Sequence, residues 1–187
     1  MTSTEHQSGT DRVNEAVQKI GGDYDVVVNI QGDEPFIDPE QIDLLVRQIS
    51  CDGTVLASLV KRITEEEELF SPNTVKVVMA SNGNALYFSR HPIPFQRNVE
   101  RSTWLSKGAF YKHIGIYAYR SDTLRQVAAL PVSQLESAES LEQLRWLENG
   151  LPIRMAVTTS DNLSIDTPDD LVRAERFLET RNKNDKP

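Results

Sequence analysis

Apolar positions change period several times along the chain, and each change marks an element. Val13, Ala16, Val17 and Ile20 recur at i, i+3, i+4 and i+7. This spacing predicts an amphipathic helix over 10–22, closed by Gly21 and Gly22. The run from Val26 to Ile30 is too apolar for a one-sided strand and reads as a strand buried on both faces, as in a parallel sheet. Asp38 predicts a helix N-cap, with Pro39 at the first helical position and Gln41 completing a capping box. Ile42, Leu45, Val46 and Ile49 form the apolar stripe of that helix.

Further along, residues 54–63 read as a strand, 65–70 as a short acidic helix, and 75–90 as a hairpin around Asn82-Gly83. Residues 91–112 hold two prolines and scattered aromatics without periodicity. Positions of about 92–112 are therefore expected to form an irregular excursion or a dimer-contact arm. Residues 113–120 read as a strand. Leu135, Ala138, Leu141, Leu144 and Leu147 stripe one helix, and 153–158 form a last strand. A final helix is expected over 166–181, capped by Thr167 with Pro168 behind it, followed by a frayed tail at 182–187.

Alternating strands and helices with a double-faced strand predict an α/β fold: an open, mostly parallel, three-layer sheet forming a single domain over 1–187. Ligands of such sheets bind beyond the carboxyl ends of the strands.

Composition narrows the function. A chain of 187 residues with 39% hydrophobic content suits one core. A lone cysteine, Cys51, excludes a disulfide framework and a cysteine metal site. No apolar run approaches the roughly 20 residues that span a bilayer. Residues 1–12 lack the apolar stretch of a signal peptide. A cytoplasmic protein without membrane contacts is expected. The formal charge of −8 argues against nucleic-acid binding and leaves room for a nucleotide held through a metal.

Candidate chemistry collects at the ends of elements. Asp33 and Glu34 follow the first strand, behind Gly32, which permits close backbone approach to a ligand. Asp166 precedes the last predicted helix. Two carboxylates brought together there suit Mg²⁺ with substrate phosphates; the plain alternative is capping and turn duty at a positive helix end. Ser8, Gly9 and Thr10, with Arg12 one turn on, suit a base, ribose or phosphate, or form an ordinary cap with a solvated arginine. His113 and Tyr117 lie four apart, so they share one face of their strand. They suit donation to a sugar acid, or structural hydrogen bonding. Glu136, Glu139 and Glu142 share a helix face whose default is solvation.

The stretches "EHQSGTDRVNEA", "VNIQGDEPFI", "NTVKVV", "ALYFSRHPIPF", "HIGIYAYR", "ESLEQLRWLENG" and "IDTPDDL" occur in the order found in the 3-deoxy-manno-octulosonate (Kdo) cytidylyltransferases of Gram-negative bacteria, which the chain resembles over nearly its whole length. The resemblance implies a Rossmann-like nucleotidyltransferase sheet and transfer of CMP from CTP to Kdo, with release of pyrophosphate, for lipopolysaccharide synthesis. It also implies Mg²⁺ dependence, a cytoplasmic location and a homodimer. By motif, Asp33 and Asp166 correspond to the metal-binding, catalytic carboxylates. Ser8, Gly9 and Arg12 would line the cytidine side, with Gln31 beside the sugar. Arg90, His113, Tyr117, Glu142 and Gln143 would line the Kdo side.

The family's opening strand and basic, triphosphate-gripping loop have no counterpart here, so the fold is expected to be N-terminally truncated and this chain alone to turn over little. Two other readings stay open: a non-catalytic sugar-binding or dimerising module, and a cytidylyltransferase for another sugar acid such as an acylneuraminate.

Overall fold

A computed structural model describes residues 1–6, 8–32, 34–160 and 171. The first helix, α1 (Gly9–Ile20), starts where Ser8 Oγ accepts a hydrogen bond from Asp11 N at 3.1 Å. It stops at Gly21, whose φ of 68° lets its N–H turn back to Val17 O. Then follow β1 (Val26–Asn29), α2 (Pro39–Ile49), β2 (Leu56–Arg62), α3 (Glu66–Phe70), β3 (Lys76–Met79) and β4 (Ala85–Ser89). The excursion holds a single 3₁₀ turn, Arg101–Thr103, and α4 (Trp104–Lys107). The described elements end with β5 (Tyr111–Arg120), α5 (Ser121–Ala128), α6 (Gln134–Glu139), α7 (Gln143–Glu148) and β6 (Arg154–Thr158).

The sheet runs β4-β3-β5-β2-β6, and β1 also pairs with β5. Three layers form as expected. On one face α2 packs Leu45 and Ile49 against Ala57, Leu59, Ile114, Ile116 and Ala118. On the other, Val13 and Val17 of α1, Leu124 and Val127 of α5, and Leu144 and Trp146 of α7 cover Leu56, Val60, Tyr117 and Tyr119.

The strand directions correct the expectation of a mostly parallel sheet. Among the described strands, β2 with β6 is the parallel pairing; β1 with β5, β2 with β5, β3 with β4 and β3 with β5 are antiparallel. The first strand is two-faced, with Val27 in one core and Val26 and Val28 in the other, but its partner is the antiparallel β5. An apolar run reports burial on both faces and says nothing of the partner's direction.

Three local expectations also change. Gln41 does not close a capping box: Asp38 accepts from Glu40 N at 2.9 Å, while Gln41 Nε2 donates to Thr158 Oγ1 and Ser160 O. Val46 is exposed rather than part of the stripe. The leucine stripe of 135–147 is two helices, broken at Ser140 (φ 53°). A three-residue repeat slips about 60° per step around a 3.6-residue helix, so one straight helix could not keep all five side chains on the core.

The excursion carries a small core of its own. Trp104 stacks on Phe110 at 6.0 Å, and Ile63 and Leu69 close around them. Arg101 lies over the Phe70 ring at 3.8 Å. Tyr111 and Lys112, expected within the excursion, already belong to β5.

Candidate active site

Strand β5 carries a bulge, and the bulge builds the site. Leu59 of β2 faces Ile114, yet the next residue, Ser58, faces Tyr117, so Gly115 and Ile116 are extra. Two extra residues keep the alternation of faces but shorten the path. Residues four apart on a regular strand stand about 13 Å apart. Here the His113 and Tyr117 rings lie 5.3 Å apart, centre to centre. They share a face, as their spacing predicts, and the bulge turns that shared face into contact.

The polar groups the bulge strands are met by neighbours. Ser58 Oγ sits 2.8 Å from Ile116 O, 3.2 Å from Ile114 O and 2.8 Å from His113 Nε2. Gln31, just past β1, donates Nε2 to Gly115 O at 3.2 Å. Beside them opens a cleft of about 280 Å³, lined by Glu34, Glu68, Asn73, Thr74, Lys112 and His113 among others. Lys112 and Glu68 form an ion pair at its wall.

His113 packs edge-on against Phe88 at 5.1 Å, and burial holds its pKa down at about 3, against an ordinary 6.5. Between those values the folded chain binds fewer protons here than the unfolded chain. The stability tied to neutral His113 is therefore complete above pH 6.5 and is lost as pH falls toward about 3. His113→Gln, which cannot titrate, is expected to flatten the fall of the urea midpoint across this window; equal slopes in both proteins would refute the buried neutral imidazole.

A second cluster lies behind the first. Tyr117 is 6% exposed, edge-on to Trp146 at 5.0 Å, and burial raises its pKa well above the usual phenol value. Burial also pushes the Glu142 carboxyl up, against hydrogen bonds from Ser8 and Thr10 that favour its ionised form. Glu142 Oε1 is buried with no hydrogen-bond partner among the described residues. Thr10 Oγ1 lies 3.5 Å from the Tyr119 hydroxyl, which Asn29 also contacts. Gln143 is 4% exposed. Ser8 is thus both the cap of α1 and a partner of Glu142, so the expected cytidine-side loop and the expected sugar-side helix meet in one network.

These observations fit a known family. A cytidylyltransferase family model matches residues 1–157. The 3-deoxy-manno-octulosonate cytidylyltransferase of Bacteroides thetaiotaomicron is 54% identical, over 97% of this chain and 74% of that protein. The chain belongs to the 3-deoxy-manno-octulosonate cytidylyltransferase family. The counterpart from Phocaeicola vulgatus is also 54% identical, over 97% of this chain and 73% of its own. A solved structure of CMP:2-keto-3-deoxy-manno-octonic acid synthetase complexed with CTP superposes with a TM-score of 0.86 and 39% identity, covering 97% of this chain and 72% of that one.

Two other residues expected at the site of this cytidylyltransferase are engaged in the protein itself. Arg90 donates Nε to Glu139 O at 2.8 Å, Nη1 to Pro72 O at 3.0 Å and Nη2 to Ser140 O at 3.3 Å. The guanidinium brackets the break between α6 and α7 against the loop before β3. Arg12, at the surface, donates Nη1 to Thr2 Oγ1 and Ser3 O. Gly9 opens α1 beside Asn29. Asp33 and Asp166 lie outside the described residues, as do the final helix expected at 166–181, apart from Leu171, and the tail at 182–187. Among the described residues, no three or more His, Cys, Asp or Glu gather where they could hold a metal.

The three glutamates expected on a solvated face are all in use. Glu136 forms an ion pair with the buried Arg145, Nε at 2.7 Å and Nη2 at 2.5 Å, and completes a capping box with Ser133. Glu139 accepts from Ser89 Oγ at 2.6 Å and Arg90 N at 2.9 Å. Glu142 is the partner of Ser8 and Thr10.

Sequence reasoning missed Ser58 and Lys76. Lys76 is fully buried; its Nζ donates to Ser71 O, Thr74 O and Arg90 O at 2.8, 2.5 and 2.5 Å, and burial pulls its pKa to about 8. It pins the loop that forms one wall of the cleft. Both residues had a signal: a polar side chain at an inward position of an otherwise apolar strand.

Proposed function

We propose that this chain transfers CMP from CTP to 3-deoxy-D-manno-octulosonate, giving CMP-Kdo and pyrophosphate. A hydroxyl of Kdo attacks the α-phosphorus and pyrophosphate leaves in line. The observation that carries the reading is the bulge of β5, which sets His113 against Tyr117 at the edge of a polar cleft, in a chain 54% identical to named Kdo cytidylyltransferases. Gln31 and His113 stand where a sugar acid in the cleft would meet them, with Tyr117, Glu142 and Gln143 behind. Arg90 supports this wall from its bracket on α6 and α7.

Asp33 and Asp166 are assigned as the metal ligands and catalytic carboxylates, with Ser8, Gly9 and Arg12 toward the nucleotide. Two carboxylates form a hard oxygen donor set of the kind Mg²⁺ prefers; Gln31, two residues before Asp33, donates to Gly115 O, and Glu34, the residue after it, lines the cleft. Bound Mg²⁺ would offset the negative charge of the triphosphate and orient it. A cytoplasmic location, a role in lipopolysaccharide synthesis and a homodimer using the 92–112 arm complete the reading. Phe95 there is 72% exposed against Trp104, and no described helix is long and apolar enough to cross a membrane.

Calorimetric titration with Kdo and with N-acetylneuraminate tests the sugar site independently of turnover. Saturable binding of Kdo, stronger than that of the acylneuraminate and weakened in His113→Ala, is expected. Equal affinity for the two sugars, or none for Kdo, would refute the assignment.

A further inference from the structure

The hydrogen bonds around Ser58 determine where the proton of His113 sits. Ser58 is fully buried, and its one hydroxyl proton faces two carbonyl oxygens, Ile116 O at 2.8 Å and Ile114 O at 3.2 Å, which can only accept. His113 Nε2 is a third neighbour, at 2.8 Å. If Nε2 were bare, Ser58 would have to donate to it and would turn only lone pairs toward both carbonyls. If Nε2 carries the proton, both 2.8 Å contacts are hydrogen bonds: Ser58 donates to Ile116 O and accepts from Nε2–H. A neutral imidazole holds one such proton, so Nδ1 is then a bare acceptor. Burial keeps the ring neutral through the ordinary pH range. Nδ1 has no hydrogen-bond partner among the described residues, and His113 lines the cleft.

We propose that Ser58 is a positioning residue that fixes His113 as the Nε2–H tautomer and so presents Nδ1 to the cleft as a hydrogen-bond acceptor for a sugar hydroxyl. The ligand half of this statement rests on the cleft being the sugar-acid site. It also reverses the role that spacing suggested for His113: the imidazole takes a hydrogen bond from the sugar instead of donating one. A bare Nδ1 repels a carboxylate and attracts a hydroxyl, so the residue orients the sugar by its hydroxyl edge. Ser58 serves the fold at the same time, because its proton goes to a backbone carbonyl at the bulge.

The test is histidine side-chain ¹⁵N–¹H spectroscopy on the full chain. The chain has three histidines, His6, His91 and His113, and His113→Gln identifies the signals of the third. The unchanged chain is expected to show His113 protonated at Nε2 and bare at Nδ1, and Kdo to shift the Nδ1 signal. Ser58→Ala is expected to mix the two tautomers and to weaken Kdo binding about tenfold with CTP binding unchanged, the loss of one oriented hydrogen bond. Ser58→Thr, which keeps the hydroxyl, is expected to restore both. A proton on Nδ1 in the unchanged chain would overturn the proposal, and that spectrum decides even if the alanine variant fails to fold. A single Nε2–H tautomer with full Kdo affinity in Ser58→Ala would overturn the positioning role. An Nε2–H tautomer with no His113 shift on adding Kdo would overturn the sugar placement and leave the tautomer assignment standing.

Discussion

Asp33→Asn is expected to cut CMP transfer to Kdo about a thousandfold, in line with losing a main stabiliser of transition-state charge. The change keeps the size and shape of the side chain and removes its negative charge. A neutral amide is a poor ligand for a hard divalent cation, and the chain's formal charge of −8 makes a triphosphate costly to hold without one. The fold should be indifferent to the change. Gln31 on the near side is exposed, and the core begins behind it at Asn29, which is 7% exposed. Initial rates with CTP, Kdo and Mg²⁺, compared at matched circular dichroism, provide the check. Turnover close to that of the unchanged chain would remove Asp33 from the metal site.

Trp146→Ala should be the most destabilising single change near the site, at about 3–5 kcal/mol. The indole is fully buried, edge-on to Tyr117 at 5.0 Å and to Tyr119 at 5.8 Å, and no small rearrangement of α7 would fill the space it leaves. Its Nε1 is buried without a hydrogen-bond partner among the described residues, so part of what the ring contributes is already offset. A buried unpaired donor costs about 1–3 kcal/mol. Trp146→Phe removes that donor and keeps an aromatic ring, so it is expected to be nearly neutral. Urea unfolding of the three proteins separates the terms. A phenylalanine variant as unstable as the alanine variant would mean that the indole N–H, or the full width of the ring, matters more than the packing suggests. The alanine variant should also bind Kdo more weakly, because Trp146 backs the Tyr117 ring.

Much of the architecture was legible because it is local. Ser8, Asp38, Gly21 and the Asn82-Gly83 turn each act within a few residues, and the helices and hairpin they delimit are present. What was hidden is what depends on distant partners. Strand direction follows from how the 91–112 excursion returns the chain, and no period within β1 reports it. Helix α5 has just Leu124 and Val127 fully buried along with Thr123, too few positions to show a stripe. The bulge was hidden for a different reason: its two extra residues preserve the alternation of β5, so the pattern looks regular while the geometry does not.

The candidate site divides the same way. His113 and Tyr117 were found from their spacing on a strand and Gln31 from the family resemblance, and the structure gathers them at the bulge. Ser58 and Lys76 were passed over because a serine or lysine within a strand acquires its meaning only from the carbonyls that face it. Glu139 was expected on a solvated face and Arg90 on the sugar side, yet the two are tied to each other's backbone at the α6–α7 break.

The central claim, CMP transfer to a sugar acid held at the bulge of β5, is tested most directly by the product. The chain at high concentration is mixed with CTP, Mg²⁺ and either Kdo or N-acetylneuraminate, and ³¹P spectra are followed against a protein-free control. The comparison between sugars does not depend on the absolute rate. CMP-Kdo and pyrophosphate appearing together, faster than any CMP-acylneuraminate, is the result predicted here. CMP-acylneuraminate as the preferred product, or no phosphorus signal beyond the control with either sugar, would contradict it.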